Sequence, residues 1–203
     1  MAFDGTEIVV CEGDSERAYI NELNRLLYRD PYGYPMQAFS AVPVGTGHFN
    51  EVKRTYLAER RANRSSTVVV WVDWDIYLRN DRQNGTKYRG KQKIPDFYFS
   101  VMNFEDFLML HCSREQLDSW VDLCASREHY AKPMHADEYE PLVRQYWPSY
   151  RKGELPFELT AERVQKMFQN IQVPGLLIRN DFGQYVFNQV QAKRLKFYYL
   201  KFS

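Results

Sequence analysis

The sequence has few cysteines, no long apolar run and almost no net charge. Only three cysteines occur among 203 residues. Their spacing shows no pairs, so we do not expect a disulfide framework. We expect the protein to lie in a reducing compartment. No run approaches the roughly 20 apolar residues of a membrane span. The first residues also lack the basic and apolar segments of a secretory signal, and a cytoplasmic protein without a membrane contact is therefore expected.

The charge is balanced overall but uneven along the chain. A formal net charge of +1 excludes binding of a polyanion through global charge alone. Positive residues are instead concentrated in "RTYLAERRANR" at 54–64 and in "KYRGKQK" at 87–93. A polyanionic partner would therefore be held locally, by one of these segments.

Apolar segments of strand type alternate with amphipathic segments of helix type in the first half of the chain. This alternation predicts an α/β fold with a mostly parallel sheet and right-handed crossovers, flanked by helices. The second half has helical periodicity and predicts a mainly helical extension. Strands are expected at 7–11, 36–44, 67–73 and 96–101, and the later helices at 116–125, 137–146, 160–171 and 181–195.

Acidic residues follow three of the predicted strands. Asp73 and Asp75 end the buried segment "VVVWVDWD", Glu12 follows the first strand, and Glu105 follows the fourth. Glu16 lies one helical turn after Glu12. Because the carboxyl ends of parallel strands open onto one cleft, these side chains are expected to share an edge of the sheet. Crowded carboxylates repel each other unless a cation offsets them, so a Mg²⁺ or Mn²⁺ site is predicted there.

Each motif taken alone has a simpler explanation. An Asp-x-Asp pair also occurs as a plain strand cap and in transferases that bind a nucleotide through a metal. "CEGDSE" is compatible with a capped helix start, and Glu105 with ordinary helix-dipole complementation. Lys152, in "PSYRKGE", fits a surface turn equally well.

Cysteine and histidine are also close together near the middle of the chain. Cys124, His129 and His135 lie within one short segment, but their spacing matches no zinc pattern. Core or surface roles are expected for them.

Taken together, "VVCEGDSE" and "VDWD" resemble the glutamate and Asp-x-Asp signature of the Toprim fold. Topoisomerases, primases and overcoming-lysogenization-defect nucleases share that signature. With "NFEDFLMLH", the three motifs resemble more narrowly the RloB-like Toprim proteins. The resemblance covers the first half of the chain and implies a Toprim-like core at 1–112. A helical extension at 113–203 is expected to complete one compact domain.

The resemblance implies a metal-dependent nuclease that cleaves DNA or RNA, with tRNA among the candidates. It also implies a role in prokaryotic defence against phage and an ATPase partner of AAA or ABC type. The catalytic residues implied are Glu12, Asp73, Asp75 and Lys152. The metal ligands implied are Glu12, Glu16, Asp73, Asp75 and Glu105. From the second basic segment, the residues expected to bind nucleic acid are Lys87, Arg89, Lys91 and Lys93.

Two other functions remain open on the sequence alone. One is a metal-dependent nucleotidyl or glycosyl transferase that uses Asp73 and Asp75 and does not need Glu12. The other is a non-catalytic Toprim module that docks nucleic acid or an ATPase. The oligomeric state is not predicted.

Overall fold

The structure, a computed structural model, describes residues 6–27, 38–75, 97–100, 102–176 and 181–192. These residues form four strands and seven helices. The strands are β1 (Glu7–Cys11), β2 (Phe39–Pro43), β3 (Val68–Asp73) and β4 (Phe97–Ser100). The helices are α1 (Asp14–Leu27), α2 (Phe49–Ala62), α3 (Phe104–Met109), α4 (Arg114–Ser126), α5 (Ala136–Tyr146), α6 (Ala161–Ile171) and α7 (Asp181–Ala192).

The four strands form one parallel sheet in the order β2-β1-β3-β4. Every residue of β1 is buried, and the apolar run from Ile8 to Cys11 suits its place in the middle of a parallel sheet. Val9 of β1 is paired with Ala41 of β2 and with Val69 of β3. The predicted α/β class with a parallel sheet and a helical second half is confirmed.

The chain divides into two compact units, Met1–Phe99 and Ser100–Ser203. The division predicted after residue 112 stays a prediction. In the first unit, neighbouring residues of β3 pack against different helices. Val70 belongs to a cluster with Val52 of α2, and Trp71 contacts Tyr19 of α1 edge to face at 5.8 Å.

The second unit is helical, and it buries polar groups together with their partners. His111 lies between the rings of Phe107 and Phe157, and its Nδ1 lies 3.2 Å from the Leu108 carbonyl. Burial lowers the pKa of His111 to about 3, so the ring is neutral near pH 7. Asn170 donates to the carbonyls of two residues that follow α3, Leu110 and Cys112. These bonds satisfy groups that the end of a helix leaves without an intrahelical partner.

Helices α3 and α4 of this unit begin with a capping box. Asn103 and Asp106 form one at α3, and Ser113 and Gln116 form another at α4. Each box satisfies two backbone donors that a helix start would otherwise leave open. Within the described part of the chain, no helix combines the length and the apolar character needed to cross a membrane.

Candidate functional site

Two of the predicted site residues meet at the edge of the sheet. Glu12 lies in the turn after β1, and Asp73 is the last residue of β3, the neighbouring parallel strand. The backbone N–H of Asp73 donates to Oε2 of Glu12 at 3.3 Å, across 61 positions of sequence. The register pairs Cys11 with Trp71, so both carboxyl groups leave the sheet at the same edge. We call this edge, with Glu12, Asp73 and Asp75, the carboxylate edge.

The two aspartates of the carboxylate edge are both removed from solvent to a large degree. Asp75 is 7% exposed, and Asp73 is partly buried with its Oδ1 shielded from water. Trp74, between them, packs its ring edge to face on Phe99 at 4.8 Å, which fixes the segment that carries both aspartates. Removing a carboxylate from water is costly unless nearby donors or a cation compensate it. A cation is one way to offset that cost, and the metal site expected at this edge stays a prediction.

The loop after β2 reaches the same edge. The backbone N–H of Gly45 donates to the carbonyl oxygen of Glu12 at 2.8 Å, and Val44 donates to the Cys11 carbonyl at 2.9 Å. Gly45 has a φ of 80°, in the left-handed region that glycine adopts without strain. The loop thus holds the backbone of Glu12 in place from the side opposite to Asp73 in the strand order.

Glu16 has a local structural role. Its side chain is buried, and its Oε2 accepts a hydrogen bond from the Gly13 backbone N–H at 3.1 Å. Because α1 begins at Asp14, this contact is one half of a capping box. The structure therefore explains the burial of Glu16 by helix capping, and its assignment as a metal ligand stays a prediction.

Two other predicted residues, Glu105 and Lys152, belong to the second unit. Glu105 is buried and accepts a hydrogen bond from the hydroxyl of Tyr150. Burial raises the pKa of Glu105, while the Tyr150 hydrogen bond and the positive charge of Lys152 act in the opposite direction. Lys152 itself is exposed.

A third group of chemically active side chains is centred on Asp106 of α3, fully buried in the second unit. Its Oδ1 accepts from Trp120 Nε1 at 2.8 Å, and its Oδ2 lies 3.0 Å from His129 Nε2. The backbone N–H of Asn103 donates to Oδ2 at 3.1 Å, and the Cys124 thiol donates to Oδ1 at 3.9 Å. Burial, aided by the negative charge of Asp106, raises the pKa of Cys124 and keeps the thiol protonated.

Asp106, Cys124 and His129 offer three ligand atoms within 4.8 Å of one another, close enough to share a metal ion. The hydrogen bonds argue against that role. The Met134 backbone N–H donates to Nδ1 of His129 at 3.1 Å, so Nδ1 is the acceptor and Nε2 carries the proton. A ligating Nε2 would have to lose that proton, and the ring would then require a proton on Nδ1, facing the Met134 N–H. The cluster is therefore a hydrogen-bonded network that links α3 to α4 and to the segment after α4.

Sequence reasoning missed Asp106, Trp120 and Tyr150. The one local signal was the Asn103-x-x-Asp106 spacing of a capping box, which does not indicate a contact with His129. The predicted nucleic-acid-binding residues lie outside the described residues; they are Lys87, Arg89, Lys91 and Lys93.

Comparisons of the chain with protein-family models, with curated proteins and with solved structures gave no match. The Toprim resemblance therefore depends on the motifs and on the geometry of the carboxylate edge.

Proposed function

We propose that this protein is a divalent-metal-dependent nuclease, similar to RloB-like Toprim proteins, that hydrolyses phosphodiester bonds of DNA or RNA. One observation carries the proposal. Glu12 and Asp73 come from the first and second motifs of the Toprim signature, and they contact each other at the carboxyl ends of adjacent parallel strands. This edge is where open α/β sheets bind their ligands.

The donor set of the carboxylate edge fits a hard cation. Glu12, Asp73 and Asp75 offer only oxygen atoms, the ligands that Mg²⁺ and Mn²⁺ prefer. A bound metal supplies a nucleophilic water at neutral pH and stabilises charge on the phosphate. Glu12 would orient that water or accept its proton, a role supported by the hydrogen bonds to its backbone from Gly45 and to its carboxylate from the Asp73 N–H.

The second unit supports the proposal through Glu105 and Lys152. Glu105 matches the additional acid of the RloB-like pattern, and Lys152 is an exposed cation that acts electrostatically on it. The catalytic role of Lys152, which is to offset negative charge on the phosphate, is proposed on the resemblance alone. We further propose, on the resemblance alone, a cytoplasmic role in anti-phage defence with an AAA or ABC ATPase as partner.

The direct test is cleavage by the purified full-length chain. Plasmid, single-stranded DNA and tRNA are incubated with Mg²⁺ or Mn²⁺, with and without chelator. Asp73→Asn is expected to lower the cleavage rate at least about a hundredfold while the unfolding temperature holds or rises, because one of two like charges is removed. Asp122→Asn, an exposed aspartate of α4, is the matched control and should cleave at the wild-type rate.

Two outcomes would contradict the proposal. One is that all three substrates stay intact with either metal, both alone and with an added ATPase partner. The other is that Asp73→Asn retains the wild-type rate. A transferase would instead bind a nucleoside triphosphate or a nucleotide sugar through Asp73 and Asp75.

A further inference from the structure

The outward face of α2 carries a stripe of positive charge that the proposed site does not use. Its members are Lys53, Arg54, Arg60 and Arg61, with Arg64 just beyond the end of the helix, and all five are exposed. We call this set the α2 basic stripe. At about 100° per residue, the four members within the helix fall in an arc of about 120°. They therefore form one face and not a ring around the helix.

The buried face of α2 lies beside the stripe and fixes its orientation. Phe49, Val52 and Tyr56 are buried in a core cluster with residues of β1 and β3. The apolar side of the helix is thus used by the fold, and the cationic side chains face solvent.

The positive charge of the stripe is poorly neutralised by the chain itself. Arg54 forms an ion pair with Glu51, and the guanidinium of Arg60 lies over the Tyr56 ring, 5.6 Å from its centre. In the part of the chain that the structure describes, neither Arg61 nor Arg64 has an ion-pair partner.

Three cations in helices of the second unit show a different pattern, because each is paired with an acid one turn away. The pairs are Arg114 with Asp118, Arg144 with Glu140, and Lys166 with Glu162. A solvated helix face of ordinary type has this alternating charge. The α2 basic stripe departs from it, which indicates a polyanionic partner.

We propose that the α2 basic stripe binds the phosphodiester backbone of a nucleic acid. Four of its five members are arginines, whose guanidinium groups bind phosphate with two parallel hydrogen bonds. A membrane surface fits less well because the apolar face of α2 is buried. Leu57 is the one large apolar side chain exposed among the described residues, too little for insertion into lipid. The choice of nucleic acid rests on the proposed function.

The position of the stripe suits a strand that continues to the carboxylate edge. α2 starts directly after the loop that Gly45 ties to Glu12. Lys53 therefore lies toward that edge, and Arg61 lies about 12 Å further along the helix axis, at 1.5 Å per residue. A nucleic acid lying along the stripe would contact several successive phosphates.

The test measures binding without cleavage. A labelled 20-nucleotide strand and the matching duplex are titrated with the full-length protein in Ca²⁺ across a range of salt concentrations. The triple variant Lys53→Ala, Arg61→Ala, Arg64→Ala should weaken binding at least about tenfold at low salt. It should also flatten the slope of log K against log salt by about 2 units for the strand and nearly 3 for the duplex.

The matched control removes the same charge from the second unit: Arg114→Ala, Arg127→Ala and Lys166→Ala together should bind like wild type. The double variant Arg61→Lys, Arg64→Lys should keep a slope of log K against log salt close to that of wild type, since both positive charges are retained. A triple variant with wild-type affinity and slope overturns the inference. The inference is also overturned if the triple variant binds nucleic acid like wild type but no longer binds vesicles of anionic lipid, since the stripe would then be a membrane-binding surface.

Because this assay measures binding in Ca²⁺ and not cleavage, the proposal that the α2 basic stripe binds nucleic acid and the proposal of nuclease activity can fail separately. Binding that depends on the stripe in a protein that cuts nothing supports the stripe alone. Cleavage by the triple variant with unchanged binding supports the nuclease alone. If the triple variant loses its fold by circular dichroism, Arg61→Gln with Arg64→Gln gives the same test at two exposed positions.

Discussion

Replacing Asp106 by asparagine tests whether the buried cluster around it is a structural network or a metal site. The carboxylate accepts hydrogen bonds from Trp120, His129 and the backbone of Asn103, and the Cys124 thiol adds a weaker one. Asparagine has nearly the same shape, but it replaces one acceptor oxygen by an NH₂ group. That group meets donors on either side, so at least one strong hydrogen bond is lost whichever way the amide is turned.

The expected cost follows from the number of donors left without an acceptor. A buried donor that loses its acceptor costs about 1–3 kcal/mol. Because Asp106→Asn leaves at least one such donor, we expect a loss of about 1–3 kcal/mol in the free energy of unfolding. At about 2–4 °C per kcal/mol for a chain of this size, the unfolding temperature should fall by about 2–12 °C.

The neighbouring carboxyl group provides a matched control on the same helix. Glu105 is also buried, but its one side-chain donor is Tyr150, and glutamine can accept that bond through its carbonyl oxygen. Glu105→Gln should therefore cost less than half as much as Asp106→Asn in urea and thermal unfolding. Equal losses of unfolding free energy in the two variants would refute the argument from unpaired hydrogen-bond donors.

Metal analysis separates the two interpretations of the cluster. In the network interpretation the purified protein carries no zinc at Asp106, Cys124 and His129, and a strong chelator leaves the unfolding temperature unchanged. About one zinc per chain, with a chelator effect as large as that of Asp106→Asn, would show that the tautomer assigned to His129 is wrong.

Three further predictions concern single side chains. Glu12→Gln should slow single-turnover cleavage at least about a hundredfold while nucleic-acid binding in Ca²⁺ stays intact. A wild-type rate would exclude Glu12 from the site and would favour a transferase site or a simple strand cap as the role of Asp73 and Asp75. Because burial lowers the pKa of His111 to about 3, its contribution to stability is present above pH 6.5 and is lost as the pH falls toward 3. His111→Phe should reduce that loss by up to about 1.4 kcal/mol per pH unit in urea unfolding, and equal slopes would contradict it. Tyr150→Phe should cost about 1–3 kcal/mol, and a double-mutant cycle with Glu105→Met, which removes the acceptor at similar size, should show coupling; purely additive losses would contradict the bond.

Much of the fold was predictable because its signals are local. The uninterrupted apolar run of β3 and the helical spacing of Tyr19, Ile20 and Leu23 in α1 determine which segments are strands and which are helices. The alternation of these segments predicts the parallel sheet, and the order of the motifs predicts that Glu12 and Asp73 share an edge. The contact between these two residues was thus within reach of the sequence.

The Asp106 network was not predictable, because its contacts depend on how helices pack. Trp120 and His129 lie 14 and 23 positions from Asp106, and no periodicity links them. The spacing of Cys124 and His129 matches no zinc pattern, and their shared partner Asp106 could be found only in three dimensions. The same holds for Tyr150, which meets Glu105 across 45 positions.

The two neighbouring acids of "NFED" show why the sequence motif alone does not assign a ligand. Successive residues of a helix point about 100° apart, so Glu105 and Asp106 enter different surroundings. Both oxygens of Asp106 are occupied by donors from three segments of the chain, which leaves little capacity for a metal. Glu105 has one side-chain donor, from Tyr150, and lies under the electrostatic influence of the exposed Lys152. Of the two carboxyl groups, Glu105 is therefore the one whose surroundings suit chemistry, and Asp106 is the one whose surroundings suit stability.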